Sequence, residues 1–399
     1  MEANEIVKIL KSIFSLKKSG VINKLKQTGL NDKNFSSMDL SGINLEGIKI
    51  SNCNFSGSNM QGSKLAGCVF VSCDFSRANI SDTVIGEYID YSYGKLYNHE
   101  INILTKFIDC TFNSANISST KFNSVELRKC NFTRTNMREC EFYHNKWTDV
   151  NIDGCDFTKG LLYKLVANTV YINESIIRCT RFEHCKYINK LKIRDVRSDE
   201  FDVSGSHFSE CDFIGQNMHI GGEYVEIIDS KMMKMTMIPG SGIYSADIKN
   251  CDMRGINISG TNWSAVVFDS CNLENAIATN INIYYGNPSG FHESNVQNVD
   301  FSGSRLQECL FANCNMNGVK FINVDMTDSS IMMLKTKSAK MKIKNVYICE
   351  DHDDHDDDDF NSSKYKILDF NKLAKTENLY SEDYKFEPWK DVKHLIIKK

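Results

Sequence analysis

Proline is nearly absent from this chain: Pro239, Pro288 and Pro388 are the only three in 399 residues. Because proline cannot donate to a strand ladder, its scarcity leaves almost the whole chain free to form one. Long apolar runs are absent too, and no stretch reaches the roughly 18 residues of a membrane-spanning helix. Lys8, Lys11, Lys17 and Lys18 break up any secretory apolar core at the N-terminus, so Sec-dependent export is not expected. Excess charge of one sign is missing as well. The net of −4 calls for neither nucleic acid nor anionic lipid nor a polycation. It is unevenly spread: residues 1–30 carry +4, residues 334–399 carry zero, and the middle is left with −8. No Cys-x-x-Cys pair suggests zinc, and there is no phosphate-binding glycine loop, HExxH or Walker signature. Cys179, Cys349, His184 and the scattered serines form no nucleophile–base pair. Neither an enzyme, a metal nor a cofactor is expected.

What the chain does have is a large apolar residue at every fifth position. The run opens with Phe35, Leu40, Leu45, Ile50, Phe55, Met60, Leu65, Phe70, Phe75, Ile80 and Ile85. Five matches neither the 3.6-residue period of a helix nor the two-residue period of a strand, so the pattern belongs to a repeat architecture. A second block runs from Phe107 to Tyr187, with Ala167 its one small centre. A third, shifted by one residue, starts at Ile193 and continues through Phe208, Phe213 and Met233 to Ile283, with Ser198, Glu223 and Ala278 in centre slots. A fourth runs from Phe291 to Ile331.

The slot two residues before each centre is small, and thirteen of the fifteen cysteines occupy it, among them Cys53, Cys73, Cys110, Cys130, Cys251 and Cys271. Ser58, Ser63, Ala78, Ala115 and Ser206 fill it elsewhere. Reduced cysteine packs as a small hydrophobe, so these thiols read as structural. Stacked in register on parallel strands they lack disulfide geometry, and free thiols in a reducing compartment are expected. The residue before the centre is often Asn or Asp, as at Asn54, Asn59, Asp74 and Asn79, and the residue after it is often Ser or Thr.

In SGSNMQGSKL at 56–65, SRANI at 76–80, CNFTRTNM at 130–137 and CNLENA at 271–276, the sequence resembles the pentapeptide-repeat family, whose motif is A(D/N)LXX. The resemblance covers about three quarters of the chain. It implies an all-β solenoid, a right-handed quadrilateral parallel β-helix in which four pentads make one square coil. Independently of the resemblance, a unit that returns the same side chain inward every five residues must turn a corner at each repeat. Successive coils then pair as parallel strands.

Open coil ends need covering, and the sequence supplies an N-terminal helical cap and a mixed C-terminal cap. Residues 1–30 hold an amphipathic helix over 4–18, with Ile6, Ile9, Leu10, Ile13 and Phe14 on one face. A membrane-surface contact or a translocation segment is the second reading of that stretch. Val21, Ile22 and Leu25 suggest a second short turn. The β-helix is assigned to 31–333 and a strand, acidic loop and cap to 334–399, with a strand at 340–349. The acidic run 350–359, including His352 and His355, reads as a solvated loop rather than a metal site.

Interruptions of a solenoid are where function is added. The insertion 86–106 carries Tyr88, Tyr91, Tyr93 and Tyr97, and a second loop, 284–290, carries Tyr284 and Tyr285. Tyrosine suits recognition because its rigid ring brings area and a polar tip, so these six are the candidate partner-binding residues. The break at Gly221, Gly222 and Glu223 marks a bend. The expected function is a non-catalytic protein-interaction scaffold with a protein partner. The similarity to pentapeptide-repeat effectors delivered by type III secretion implies a bacterial effector, made in the bacterial cytoplasm and moved into a host cell, that acts on host proteins or membranes. A DNA-mimicking topoisomerase-binding protein is one alternative, although −8 over the middle region is thin beside a duplex and Lys186, Lys190, Lys192 and Arg194 interrupt it. A β-helix targeting module related to HECT-like effector ubiquitin ligases is another, here without a catalytic domain, since fewer than seventy residues follow the repeat. Nucleic acid is not an expected partner.

Overall fold

The five-residue period becomes a twenty-residue coil, with one backbone bridge on each of its four sides. Asn34 lies beside Asn54, Asp39 beside Asn59, Asn44 beside Lys64 and Lys49 beside Val69, all in parallel register. The computed structural model describes residues 2–12, 16–86, 105–177, 180–183, 185, 188–194, 198–214, 218–237, 239–284, 289–326, 329–332, 341–349, 365–367 and 396–397. The architecture is a parallel β-solenoid, and the chain gathers into two units, Met1–Ser209 and Glu210–Lys399.

In the first unit the centres stack in columns. One column holds Leu30, Ile50, Phe70, Phe107, Leu127, Trp147, Ala167, Ile188 and Phe208, all buried. Ala167 sits directly after Trp147, so a small centre offsets the largest one, as close packing requires. A second column is a stack of five phenylalanines, Phe35, Phe55, Phe75, Phe112 and Phe132, with successive ring centroids 5.1, 4.9, 4.9 and 4.6 Å apart. In the second unit Ile227, Ile248, Phe268, Phe291, Phe311 and Ile331 share a column. The strand Met341–Cys349 adds a further level there, pairing in parallel with Lys320–Asp325.

Two details of the register differ from the apolar pattern. Leu162 pairs with Phe182, but Ala167 pairs with Ile188. The one-residue shift therefore falls a pentad earlier than the Tyr187-to-Ile193 step expected from the spacing. In the second unit Met232, not Met233, is the buried centre, and Gly222 rather than Glu223 aligns with Ile243. Apolar spacing cannot choose between adjacent Met232 and Met233. The choice is made by Ser230, two residues before Met232, whose Oγ accepts the Cys211 N–H and donates to the Ile228 carbonyl.

The slot before each centre selects for a hydrogen-bond donor as well as for size. The thiols of Cys68, Cys140 and Cys271 donate to the centre carbonyls of Leu45, Ile117 and Ile248 in the coil before, at 2.8, 2.8 and 3.2 Å. Thr120, Thr135 and Ser294 do the same with hydroxyls. Asn145 breaks the size rule and keeps the donor rule. Its Nδ2 donates to the carbonyls of Phe122 and Tyr143, and its Oδ1 accepts the Val125 N–H. Asn145→Leu, of similar volume, strands those buried groups and is expected to cost about 2–3 kcal/mol in chemical denaturation.

All thirteen cysteines in the slot are buried, and none forms a disulfide. Burial pushes the Cys53 and Cys155 thiols up to about 11 and those of Cys68 and Cys130 up to about 12. The hydrogen bond to Cys73, together with burial, holds Cys110 protonated well above the usual thiol range. Because all thirteen sulfurs are buried out of the reagent's reach and a thiol must meet it as thiolate to react, Ellman's reagent at pH 8 should leave them untouched in the folded protein and modify them after denaturation.

The recurrent Asn and Asp positions do two jobs at once. Asn54 Oδ1 and Asp74 Oδ1 each accept the backbone N–H two residues on, shaping the corner. Between coils, Asn136, Asn116, Asn79 and Asn59 donate one to the next, and the chain ends on the Asp39 carboxylate. Asp39 in turn pairs with Lys11 Nζ at 2.6 Å, and the hydrogen bonds from Lys11 and Ser41 hold its carboxyl well below the usual range.

Lys11 closes α1, Ala3–Lys11, which is shorter than the helix expected over 4–18. Ser12 is extended, with φ −64° and ψ 129°, and its hydroxyl donates to the Ile9 carbonyl at 2.6 Å. A second helix, α2, spans Leu16–Thr28 where the sequence pattern points only to a short turn. Ile6 and Leu10 are buried and line one small apolar space with Leu30, Phe35, Leu40, Ile43, Leu45 and Phe55. Ile13 and Phe14 lie outside the described residues.

Candidate interaction face

The strands Val84–Gly86, Lys121–Asn123, Glu141–Tyr143, Leu161–Tyr163 and Thr180–Glu183 form one side of the first unit. Their centres Ile85, Phe122, Phe142, Leu162 and Phe182 point inward and are buried. Alternation turns the flanking positions away from the core. The positions before the centres align as Val84, Lys121, Glu141, Leu161 and Arg181, with Leu161 buried, and those after them as Gly86, Asn123, Tyr143 and Tyr163, with Gly86 and Asn123 buried.

Tyr143 and Tyr163 are neighbours in the second column, half-buried, with ring centroids 6.0 Å apart. His144 follows at the corner and meets the Tyr163 ring edge-on at 5.9 Å. Lys164, the next corner residue in that column, places Nζ 5.3 Å from the Tyr163 ring centre, within cation–π range. Lys121 and Glu141 form an ion pair at 2.9 Å beside the aromatic column, and Lys106 and Glu126 form another, also 2.9 Å, around the corner. Val84 and Val166 are exposed at 42% and 40%. This side and the corner beside it thus combine exposed aliphatic groups with half-buried aromatic rings and cationic groups.

The first insertion leaves from this face. Gly86 ends its strand at the foot of the tyrosine column, paired with Asn123, and the chain returns at Thr105–Ile108 beside Val69–Val71. Asn123 and Ser124 at this root are buried, and Asn123 Oδ1 and Ser124 Oγ have no hydrogen-bond partner. Tyr88, Tyr91, Tyr93, Tyr97 and Tyr285 lie outside the described residues. Tyr284 is the last residue of Asn282–Tyr284 in the second unit, where the strand pairing places it next to Ser264 and Ser264 next to Tyr244. Tyr143, Tyr163, His144 and Lys164 are not among the residues that the sequence singles out. Their signal is there nonetheless: two tyrosines twenty residues apart, each just after a centre.

Burial, reinforced by the nearby Lys164 charge, lowers the His144 pKa from 6.5 to about 4. The unfolded chain takes up this proton as the pH falls through 6.5, whereas the folded chain resists until about 4. Stability should therefore decline on acidification across that window. His144 sits at φ 56°, a left-handed conformation that asparagine tolerates. His144→Asn should flatten the decline of the unfolding midpoint between pH 7 and 5.

The family model for pentapeptide repeats matches eight copies, over residues 30–65, 53–84, 105–142, 120–158, 246–283 and 291–330. The chain is a pentapeptide-repeat protein. Among solved structures it is similar to full-length QnrB1, a plasmid-mediated fluoroquinolone resistance protein, at 15% identity, covering 69% of this chain and 90% of that one, with a TM-score of 0.25. It is similar to HetL, a pentapeptide-repeat protein involved in heterocyst differentiation regulation from the cyanobacterium Nostoc sp. strain PCC 7120, at 12% identity, covering 82% and 96%, with a TM-score of 0.17. A third similar structure is PfbA, a surface adhesin of Streptococcus pneumoniae, at 9% identity, covering 91% and 98%, with a TM-score of 0.26. No curated protein matches the chain.

Proposed function

We propose that this chain is a non-catalytic protein-interaction scaffold, and that its first unit recognises a protein partner through the tyrosine face together with the insertion 87–104. The observation that carries the reading is the register Gly86–Asn123–Tyr143–Tyr163, which roots a tyrosine-rich insertion at the foot of an outward aromatic column. Aromatic residues dominate the energetics of recognition surfaces. The test is affinity capture with three forms: intact chain, deletion of 87–104, and Tyr143→Ser/Tyr163→Ser. The reading expects one partner held by the intact chain and lost from both variants. A partner retained by both would overturn it.

The finer reading is a bacterial effector that acts on host proteins. It rests on the likeness of organisation described from sequence, and a translocation reporter fused to residues 1–30 tests it: a fusion retained in the bacterium contradicts it. A membrane role for residues 4–18 would require Ile6 and Leu10 to leave the apolar space they share with Leu30 and Phe35. The DNA-mimic reading is disfavoured by the outward ion pairs, in which signs alternate between coils: Lys106 with Glu126, Lys121 with Glu141, Glu139 with Lys159 and Asp300 with Lys320. A duplex surface is uniformly charged. A gyrase supercoiling assay should show no inhibition.

A further inference from the structure

The second unit carries a different surface, on the strands Met218–Glu223, Gly242–Lys249, Asn262–Asp269 and Asn282–Tyr284. Ile243, Trp263 and Ile283 are its buried centres. The positions before the centres align as Gly221, Gly242, Asn262 and Asn282, and those after them as Glu223, Tyr244, Ser264 and Tyr284. In the coil before Ile243 the centre slot holds Gly222, so Gly221 and Gly222 together leave a stretch of bare backbone. The half-buried Tyr244 ring lies along its own strand: a Cβ at Gly242 would stand 2.9 Å from Tyr244 Oη and 3.1 Å from Cζ. Tyr224 borders the glycines at the corner, and its N–H donates to the Tyr244 carbonyl. At 72% exposure it is the most exposed large hydrophobic side chain among the described residues. Its φ of 55° is a left-handed conformation that glycine or asparagine adopts more readily. A tyrosine in that place costs backbone strain and buries little, the combination expected of a residue kept for contact.

We infer that this surface binds a neutral glycan, with one pyranose ring stacked on Tyr244, Tyr224 against its edge and its hydroxyls on the amides of Asn262 and Asn282. The inference goes beyond the scaffold reading and uses none of its residues. The face of an aromatic ring is electron-rich and attracts the partly positive C–H bonds on the flat side of a sugar ring. With one face against the Gly242 backbone, the Tyr244 ring turns the other outward. The amides supply the polar contacts. Asn282 Nδ2 donates to Asn262 Oδ1 at 2.8 Å, which fixes both side chains and leaves the Asn262 Nδ2 to donate and the Asn282 Oδ1 to accept, the pair that neighbouring hydroxyls require. Glu223 is the one charged residue in either column, and an acid does not attract a phosphate backbone. A protein interface is centred on packed apolar side chains, whereas the middle of this surface is glycine backbone and amide.

The test uses the full chain and three neutral oligosaccharides, cellohexaose, mannohexaose and maltohexaose, titrated by calorimetry at low and high salt. At least one is expected to bind, with an affinity that salt leaves unchanged because the ligand is uncharged. Tyr224→Ala and Tyr244→Ala should each weaken binding about tenfold by removing a ring. Gly242→Ala, at a position whose backbone is not left-handed, should weaken it by displacing the Tyr244 ring, and thermal melts establish that each variant is folded. Tyr143→Ser/Tyr163→Ser should bind the sugar as the parent does. No binding of any hexaose at millimolar concentration, unchanged affinity in both Tyr224→Ala and Tyr244→Ala, or loss of sugar binding in Tyr143→Ser/Tyr163→Ser would each overturn the inference. If no hexaose binds while Tyr224→Ala loses a captured protein, the surface is a protein contact and the glycan assignment falls. If no hexaose binds while Tyr143→Ser/Tyr163→Ser alone loses the captured partner, the glycan assignment falls and the scaffold reading stands.

Discussion

Phe112→Ala should be among the most damaging single changes in the chain, costing about 3–5 kcal/mol of stability. Phe112 is fully buried, stacked between Phe75 at 4.9 Å and Phe132 at 4.6 Å and edge-on to Phe107 at 5.5 Å. Truncation leaves a hole inside a stack of rings whose spacing is set by the backbone ladder, so neighbouring coils cannot close in to fill it. Breaking each stacked ring pair adds about 0.5–1.5 kcal/mol beyond area burial. Because stability in a solenoid passes from each repeat to its neighbours, the damage should appear first as faster hydrogen exchange in the coils carrying Phe75 and Phe132. Phe112→Leu, which refills most of the volume, should cost about 1.5 kcal/mol or less. Equal midpoints for the alanine variant and the parent in denaturant would contradict the packing account.

Gly86→Ala should also cost more than an ordinary glycine substitution. Gly86 has φ 95°, and a Cβ there would collide with the Asn123 carbonyl oxygen. That oxygen belongs to the paired backbone and cannot rotate away, so the root of the insertion must separate from the next coil. The cost should exceed the roughly 1–2 kcal/mol of a left-handed alanine alone. Gly42 is the matched control: φ is 66° there and nothing stands within 4 Å of the added carbon, so Gly42→Ala should show only the conformational part. Urea denaturation of the two variants compares them directly, and equal losses would mean that the close approach at Gly86 contributes nothing.

The coil architecture is legible in the sequence because Phe35, Phe55 and Phe75 recur at twenty residues and the period of five admits no helix or flat strand. The small slot is legible too, but its chemistry is not. Cysteine, serine, threonine and alanine look alike by size, and the donor role emerges only when Thr135 Oγ1 is seen reaching the Phe112 carbonyl in the previous coil. Asn145 is too large for a slot defined by size alone. The register steps at Ile188 and Met232 are hidden because each has an apolar neighbour, Tyr187 or Met233, and apolar periodicity cannot rank adjacent residues. The helix break at Ser12 is masked by apolar residues continuing on both sides of it. The tyrosines of the insertion stand out by their density, whereas Tyr143 and Tyr163 are dispersed in sequence and meet only because one coil lies on the next.

That meeting is also where the functional account is most exposed to test. Site-specific photocrosslinking, with p-benzoylphenylalanine replacing Tyr143 or Tyr163 in the full chain, reports directly on what touches the face while keeping an aromatic ring in place. The account predicts a crosslink to one protein from both positions, competed away by unlabelled parent chain and absent when the same group replaces Tyr224, which is exposed on the second unit. Silence at positions 143 and 163 with a crosslink at 224 would contradict it.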